Sequence, residues 1–337
     1  MKNDGDQPKI NPPTVSVVMS VYNDKRYVKA SIESVLNQTL SDFEFIIVNN
    51  ASTDGSETIL QDYASLDSRI RLLQFEVPGL TNALNFALSH ATGEYVARQD
   101  ADDIMSPQRL EKQVRFLELN ADVALLGTGI TLIDVNGDEL GVKLYPSGHE
   151  SLCELLLKCE NPLPHSTIMC RKPVLDQLGH YDSLFVKAQD YALYLRLIQG
   201  HRVASLAEPL TYLRYRTDSI AFGDESADQV RFALLARVLL AEGLLSANVQ
   251  GSVQNWNEFY QFFNDWFISE GFARRHQAQK QHRQMLALFA SRQFARCLGF
   301  AWKSLLLDPG FYFRKILKRN DIWNGKYSRI PFPIKLS

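Results

Sequence analysis

An α/β domain on a mostly parallel sheet, followed by a helical region, is the fold class that this 337-residue sequence predicts. Two observations carry it. Over the first hundred residues, short β-branched and apolar runs alternate with stretches of helical spacing, the pattern of βαβ units. From about Asp224 onward the pattern is almost wholly helical. The runs VSVVMSV (15–21), FEFIIV (43–48), RLLQF (71–75) and EYVAR (94–98) are the expected strands, and 25–38, 56–66 and 81–89 the helices between them. Ser106 as N-cap and Pro107 at the first helical position predict an amphipathic helix through Leu110, Val114 and Leu117. Residues 123–145 then predict strands with a turn at Asn136-Gly137, and 150–159 a helix. The expected organisation is a flexible leader (1–13), an α/β domain (14–222, with halves 14–105 and 106–222) and a basic helical C-terminal region (223–337).

Composition narrows the class. With 45% hydrophobic and 22% charged residues the chain is an ordinary globular one. Cys153, Cys159, Cys170 and Cys297 show no CxxC spacing, so reduced thiols are expected rather than a disulfide frame or structural zinc. The N-terminal MKNDGDQPKINPP has no apolar core and does not predict a secretory signal. The most apolar later stretch, Phe232 to Leu245, is broken by Arg237 and Glu242, short of the roughly 20 residues a spanning helix needs. The expected location is therefore cytoplasmic. From Gly271 to Ser337 there are 14 Lys or Arg against Asp308 and Asp321, a net of about +12, while the other 22 bases and 36 acids leave about −14. In that tail Phe311, Tyr312, Phe313, Ile316 and Leu317 interleave with Arg314, Lys315, Lys318 and Arg319. Such a segment suits peripheral contact with an anionic membrane on its cytoplasmic face, and no nucleic acid is expected.

In an open α/β sheet the ligand lies beyond the carboxyl ends of the parallel strands. Three polar loops fall there: Tyr22-Asn23-Asp24, Asn49 to Gly55, and Asp100-Ala101-Asp102-Asp103. No GxGxxG follows the first strand and no GxxxxGK[ST] occurs, which excludes a Rossmann dinucleotide fingerprint and a P-loop. Three carboxylates within four residues repel unless something offsets them. Oxygen-rich clusters of this kind suit Mn2+ or Mg2+, hard cations that also bridge a diphosphate.

Five segments in order, VSVVMSVYN, IIVNNASTDGS, GLTNALNFALSHATGEYVARQDADD, SPQRLEKQVRFLE and HSTIMCRKPVLDQLGHYDSLFVKAQDYALYLRL, resemble the family 2 glycosyltransferases, over roughly Thr14 to Ser219. The closest likeness is to bacterial capsule, exopolysaccharide and O-antigen enzymes. The resemblance implies a GT-A nucleotide-diphospho-sugar transferase fold and an inverting transfer from a nucleotide-sugar donor, with UDP-hexose expected. The implied acceptor is a surface-polysaccharide or lipid-pyrophosphate-linked saccharide.

It also implies roles. Asp100 and Asp102 match the D-x-D pair, Asp102 as metal ligand and Asp100 toward the metal shell or ribose; Asp103 matches a position behind the metal or at the donor sugar. Tyr22 and Asn23 match positions lining base and ribose, and Asn82 and Asn85 a segment near the donor. Asp54 and Gly55 match the turn that opens the second helix. Asn49-Asn50 stands where relatives often carry aspartate; an Asn50 carbonyl accepts the same bond from a base N–H. His165 matches a histidine near the diphosphate and acceptor. Arg216 stands where relatives often carry histidine, which removes a metal ligand and offers a cation to the diphosphate. Asp190 matches the catalytic base, or caps a helix starting near Tyr191, and Ala192 replaces a frequent neighbouring acid. The rival readings are a sugar nucleotidyltransferase, against which YNDKRY lacks glycines, and a non-catalytic nucleotide-sugar-binding scaffold.

Overall fold

A computed structural model of the protein describes residues 12–216, 226–246, 248–252 and 256–269. Within these it divides into two compact units. One draws on 12–153, 161–181 and 197–214, the other on 154–160, 182–196 and the described residues from 215 to 269. Most of the expected leader, and the basic aromatic tail from Gly271, lie outside the described residues.

The first unit begins with β1 (Val15–Val21), α1 (Val28–Leu36), β2 (Phe43–Asn49), α2 (Ser56–Leu66), β3 (Ile70–Gln74), α3 (Leu80–His90) and β4 (Tyr95–Arg98). These are the strands and helices that the alternation predicts, shifted by a few residues at their ends. β1 runs parallel to both β2 and β4, and β2 to β3. Every residue of β1, β2 and β4 is buried, because helices returning between parallel strands cover both faces of the sheet. That is why these strands read as nearly unbroken apolar runs.

The chain continues through β5 (Ile104–Met105), α4 (Arg109–Leu119), β6 (Val123–Ile133), β7 (Glu139–Lys143), α5 (His149–Leu157), a 3₁₀ turn (His165–Thr167), β8 (Met169–Arg171), α6 (Lys172–Leu178), α7 (Gln189–Leu197) and β9 (Arg202–Arg214). The sheet order is β3-β2-β1-β4-β8-β6-β9-β5, with β7 on β6. β8 runs antiparallel to β4 and β6, β6 and β9 are parallel, and β5 closes antiparallel on β9. Val17, Met19, Ile32, Phe45, Leu110 and Leu117 share one core. The turn at Asn136-Gly137 forms as expected: Asp134 Oδ1 accepts from the amides of Asn136 and Asp138, and Gly137 takes φ 97°.

The expected start of α4 is corrected. Ser106 does not cap it and Pro107 is not its first residue: a turn at 107–108 follows β5 and Ser106, and the helix opens only at Arg109. Gln38 serves that end instead. Its Oε1 accepts from Leu110 N at 3.0 Å while its Nε2 donates to Ser106 O at 2.7 Å, so one amide satisfies an orphan donor and fixes the incoming chain.

In the second unit, α8 (Ser226–Ala241), α9 (Val249–Ser252) and α10 (Trp256–Ser269) follow α7. Trp256, Phe259, Phe263 and Phe267 recur at helical spacing and bury one face of α10. Arg231 of α8 donates to Tyr260 Oη at 3.0 Å and Asn264 Oδ1 at 2.8 Å. Phe185 meets Phe232 edge-on. None of the described helices is long and apolar enough to cross a membrane.

The amino ends of β1, β2 and β4 are tied by a buried polar knot. Glu44 Oε1 accepts from Ser16 Oγ, Thr92 N and Thr92 Oγ1 at 2.7 Å each, and Arg71 pairs with its other oxygen. Burial alone would raise this carboxyl, but the bonds from Thr92, Ser16 and Arg71 outweigh it and leave Glu44 below its ordinary value. Gly93 lies so close that a Cβ there would sit 2.6 Å from Ser16 N and 2.8 Å from the Val15 carbonyl carbon.

Two outcomes follow from this knot. Gly93→Ala pushes against backbone, not a yielding side chain, and is expected to lower unfolding stability by about 1–3 kcal/mol in urea titrations. A carboxyl lowered by folding contributes stability that is complete above its unfolded value and lost as pH falls through the folded one. The stability gap between wild type and Glu44→Gln is therefore expected to be widest at neutral pH and to narrow below about pH 4; equal gaps at both would contradict the assignment.

Candidate functional site

Because β2, β1 and β4 are adjacent and parallel, their carboxyl ends open on one edge and bring the three polar loops together. The loops after β1 and β2 are stitched to each other. Asn23 N donates to Ser52 Oγ, Thr53 N donates to Asn23 Oδ1 at 2.7 Å, and Asp54 accepts from Lys25 N and Ser56. Asn23 and Ala51 both lie in the left-handed region, with φ 55° and 58°. For an alanine that geometry is strained and persists only where its surroundings enforce it.

Tyr22 is exposed beside this loop, with 52% of its surface accessible. Asn50 is buried, and with its amide turned to suit its neighbours it donates to Val77 O at 3.0 Å and accepts from Gly79 N at 3.1 Å. Asn49, also buried, donates to Gln74 Oε1 and accepts from Ser52 N. Asn50 thus holds the segment between β3 and α3, while Asn49 ties the end of β3 to the loop after β2. Asn82 is exposed in the first turn of α3. Asn85 exchanges two bonds with the backbone of Tyr181, acting like a strand partner.

The carboxylate loop after β4 rests on buried cations. Arg98, 1% exposed, donates from Nη2 to Asp100 Oδ1 at 2.6 Å. Arg109, fully buried at the start of α4, donates to the carbonyls of Arg98 and Ile168, to Gln99 Oε1 and to Gln113 Oε1. Burial pushes its guanidinium down to about 9, with Asp103 and Asp100 pulling the other way, so it remains a cation at neutral pH. Asp103 is buried; Ser166 Oγ donates to one oxygen and Arg214 N to the other at 2.8 Å. Burial, then the charges of Asp102 and Asp100, drive Asp103 well above the usual carboxylate range. Arg214 also donates from Nε to Asp102 O and from Nη1 to Asp134 O, and stacks over Tyr27 at 4.6 Å. Ser31 Oγ of α1 donates to Asp100 O.

Asp100 and Asp102 are half-buried at the tip of the loop. Asp100 Oδ2 has no protein hydrogen bond among the described residues. No group of three His, Cys, Asp or Glu among the described residues forms a metal cage. Two hard carboxylates, with water and diphosphate oxygens completing the shell, nonetheless fit Mn2+ or Mg2+, which bind through one or two carboxylates plus substrate phosphates.

His165 Nε2 lies 2.7 Å from Tyr181 Oη, with the rings edge to face. Burial and then the Arg98 charge lower it well below its ordinary value, so it is neutral at physiological pH. In the second unit, Asp190 is buried within the first turn of α7, which opens at Gln189; it is not the cap. Ala188, immediately before, takes φ 54°. Arg216 is half-buried two residues after β9. Sequence reasoning missed Arg98, Arg109, Ser166 and Arg214. The available signal was an arginine closing a strand buried on both faces, two residues before the first acid.

The chain matches the family model described as Glycosyl transferase family 2 over residues 16–178. EpsE of Bacillus subtilis, a protein assigned as a glycosyltransferase, is 35% identical over 260 residues, which cover 72% of this chain and 92% of EpsE. The O-antigen biosynthesis glycosyltransferase WbnJ of Escherichia coli is 38% identical over 186 residues, 55% of this chain and 71% of WbnJ. Among solved structures, S. aureus TarS in complex with UDP-GlcNAc superposes with a TM-score of 0.56 at 18% identity, covering 91% of this chain and 92% of that one. The mannosyltransferase PcManGT from Pyrobaculum calidifontis, in complex with GDP-Man and Mn2+, gives 0.52 at 17%, covering 92% and 88%. The fold is the GT-A type that the resemblance implies.

The geometry of Asn50 yields a direct test. Asn50→Asp keeps the acceptor for Gly79 N but sets an oxygen against Val77 O. A lost buried bond of this kind is expected to cost about 1–3 kcal/mol and to speed amide exchange across 75–79, read by hydrogen–deuterium exchange.

Proposed function

The chain belongs to glycosyl transferase family 2 and is a glycosyltransferase, and from that premise we propose that it moves a hexose from a nucleotide-diphosphate donor to a saccharide hydroxyl with inversion. The observation that carries this reading is the loop at the end of β4, where Asp100 and Asp102 stand at the carboxyl edge of the parallel strands on a buried guanidinium base. That edge is where an open α/β sheet receives its ligand.

In this reading Tyr22 and Asn23 lie alongside the nucleoside, and Asn82 at the start of α3 faces the donor. Asn50 acts through the 77–79 backbone that it holds. Asp102, with Asp100 beside it, is the ligand for Mn2+ or Mg2+, and Asp103 sets the loop from behind, through Ser166 and Arg214. The metal supplies charge neutralisation on the departing diphosphate. Neutral His165 and the Arg216 cation serve the diphosphate and acceptor side, His165 as a hydrogen-bonding group and Arg216 as a charge.

Asp190 is the general base. It takes the proton from the acceptor hydroxyl as the oxygen bonds to the anomeric carbon, the bond from that carbon to the diphosphate oxygen breaks, and the nucleoside diphosphate leaves with the electron pair. An α-linked donor gives a β-linked product. Leaving-group stabilisation and a positioned base supply the rate without a covalent sugar intermediate.

UDP-hexose is the proposed donor. The UDP-GlcNAc seen in TarS supports it, and the GDP-Man of PcManGT names the competitor that a thermal-shift screen with Mn2+ must reject. WbnJ's part in O-antigen biosynthesis supports a growing surface saccharide as acceptor. The +12 charge of the tail favours an acceptor carried on a lipid at an anionic cytoplasmic membrane face.

Asp102→Ala is expected to abolish the increment that Mn2+ adds to UDP binding in calorimetry. Asp190→Asn is expected to bind UDP within about twofold of wild type and to lose roughly 10²–10⁴-fold in turnover. Substantial transfer by the Asp190 variant would remove it as the base.

A further inference from the structure

Arg98 has one close side-chain hydrogen-bond partner among the described residues, Asp100. Its side chain is 1% exposed, its bond to Asp100 Oδ1 is 2.6 Å, and its other recorded bond, from Nη1 to Val18 O, is long at 3.5 Å. Among the described residues its buried Nε has no hydrogen-bond partner. A cation sunk at the end of an apolar strand with so few bonds is costly unless its charge is needed where it sits. Beside it Arg109 is fully buried, with both Asp103 and Asp100 acting on it electrostatically.

Resting on the reading of Asp102 as the metal ligand, we propose that Arg98 is a positioning residue that sets the order of loading, by cancelling the charge of Asp100 so that the carboxylate loop holds a bare divalent cation weakly. A site made of hard carboxylates captures Mn2+ by charge as much as by geometry. An internal guanidinium paired with one of these carboxylates removes part of that attraction in advance. It also repels an incoming cation through a medium that screens poorly. The diphosphate restores the missing negative charge and brings its own oxygens. Cation and nucleotide are therefore held together far better than the cation alone. The same guanidinium fixes Asp100 Oδ1, so Asp100 presents only its second oxygen to the shell.

The test is Mn2+ titration of the full chain, with water-proton relaxation and electron paramagnetic resonance as readouts, without nucleotide and with saturating UDP. Wild type is expected to bind Mn2+ at least about tenfold more tightly with UDP. Arg98→Gln, neutral but still able to donate to Asp100, is expected to bind bare Mn2+ about tenfold more tightly than wild type and to lose most of the UDP increment. Arg98→Lys, which restores the charge, is expected to return to within about threefold of wild type. A folded Arg98→Gln variant with unchanged affinity for bare Mn2+, or a Lys variant as tight as the Gln one, overturns the proposal.

The double variant Arg98→Gln/Asp100→Asn removes the ion pair as a pair and decides the matter if Arg98→Gln does not fold. It is expected to bind bare Mn2+ like wild type, whereas Asp100→Asn alone binds it at least about tenfold more weakly. A double variant as weak as that single overturns the proposal. Asp102→Asn separates the two readings: if it binds Mn2+ with UDP as wild type does, the metal assignment itself fails, whatever Arg98 does.

Discussion

Placing two guanidinium groups beneath a cluster of carboxylates is the constraint on which the site depends. Arg98 and Arg109 are both essentially inaccessible, and a buried charge left without a partner costs several kcal/mol. Each therefore dictates what surrounds it. Arg109 gathers the carbonyls of Arg98 and Ile168 and the amide oxygens of Gln99 and Gln113. Gln113 in turn donates to the carbonyls of Leu126 and Thr167. β4, the start of α4, the end of the 3₁₀ turn and β6 are thereby joined through side chains where the sheet changes from parallel to antiparallel pairing. The acidic loop and the change in strand direction meet at the same point.

The same accounting separates three acids that look alike in sequence. Asp100 is matched by a guanidinium, Asp103 is sunk and held by a hydroxyl and a backbone amide, and Asp102 stands half-buried at the tip. Equivalent residues in RQDADD become inequivalent through their depth and their partners. Arg214 completes the arrangement from the far side of the sheet, gripping Asp102 through its carbonyl while its backbone serves Asp103. An arginine at the end of β9 thus fixes the geometry of residues more than a hundred positions earlier.

Much of this was legible in the sequence, and the limits have physical causes. The parallel half could be read because strands buried on both faces must be apolar throughout, as VSVVMSV and FEFIIV are. The convergence of the Asn23, Asn50 and Asp100 loops followed from the carboxyl-edge rule and holds in the fold. β8 and the two-residue β5 were too short to carry a period, and β9 contains Pro209 where its register against β6 shifts. The capping error at Ser106 arose because capping signals are local, whereas the acceptor here comes from Gln38, 72 residues away. The supporting arginines escaped notice because pairing with an acid two residues on looks the same, in one dimension, as an exposed ion pair. Burial is what changes its meaning.

The Gln38 amide has a consequence for how the molecule comes into being. On a ribosome the chain emerges from its amino end, so α1 and the residues at its close are available before α4 is made. When the Arg109 to Leu119 segment appears, the group that satisfies its first turn in the folded protein has already been synthesised. The helix beside the acidic loop thus takes the partner for its first turn from a part of the chain that precedes it. A fragment beginning after β5 would carry the same eleven residues without the partner that tells them where to start winding.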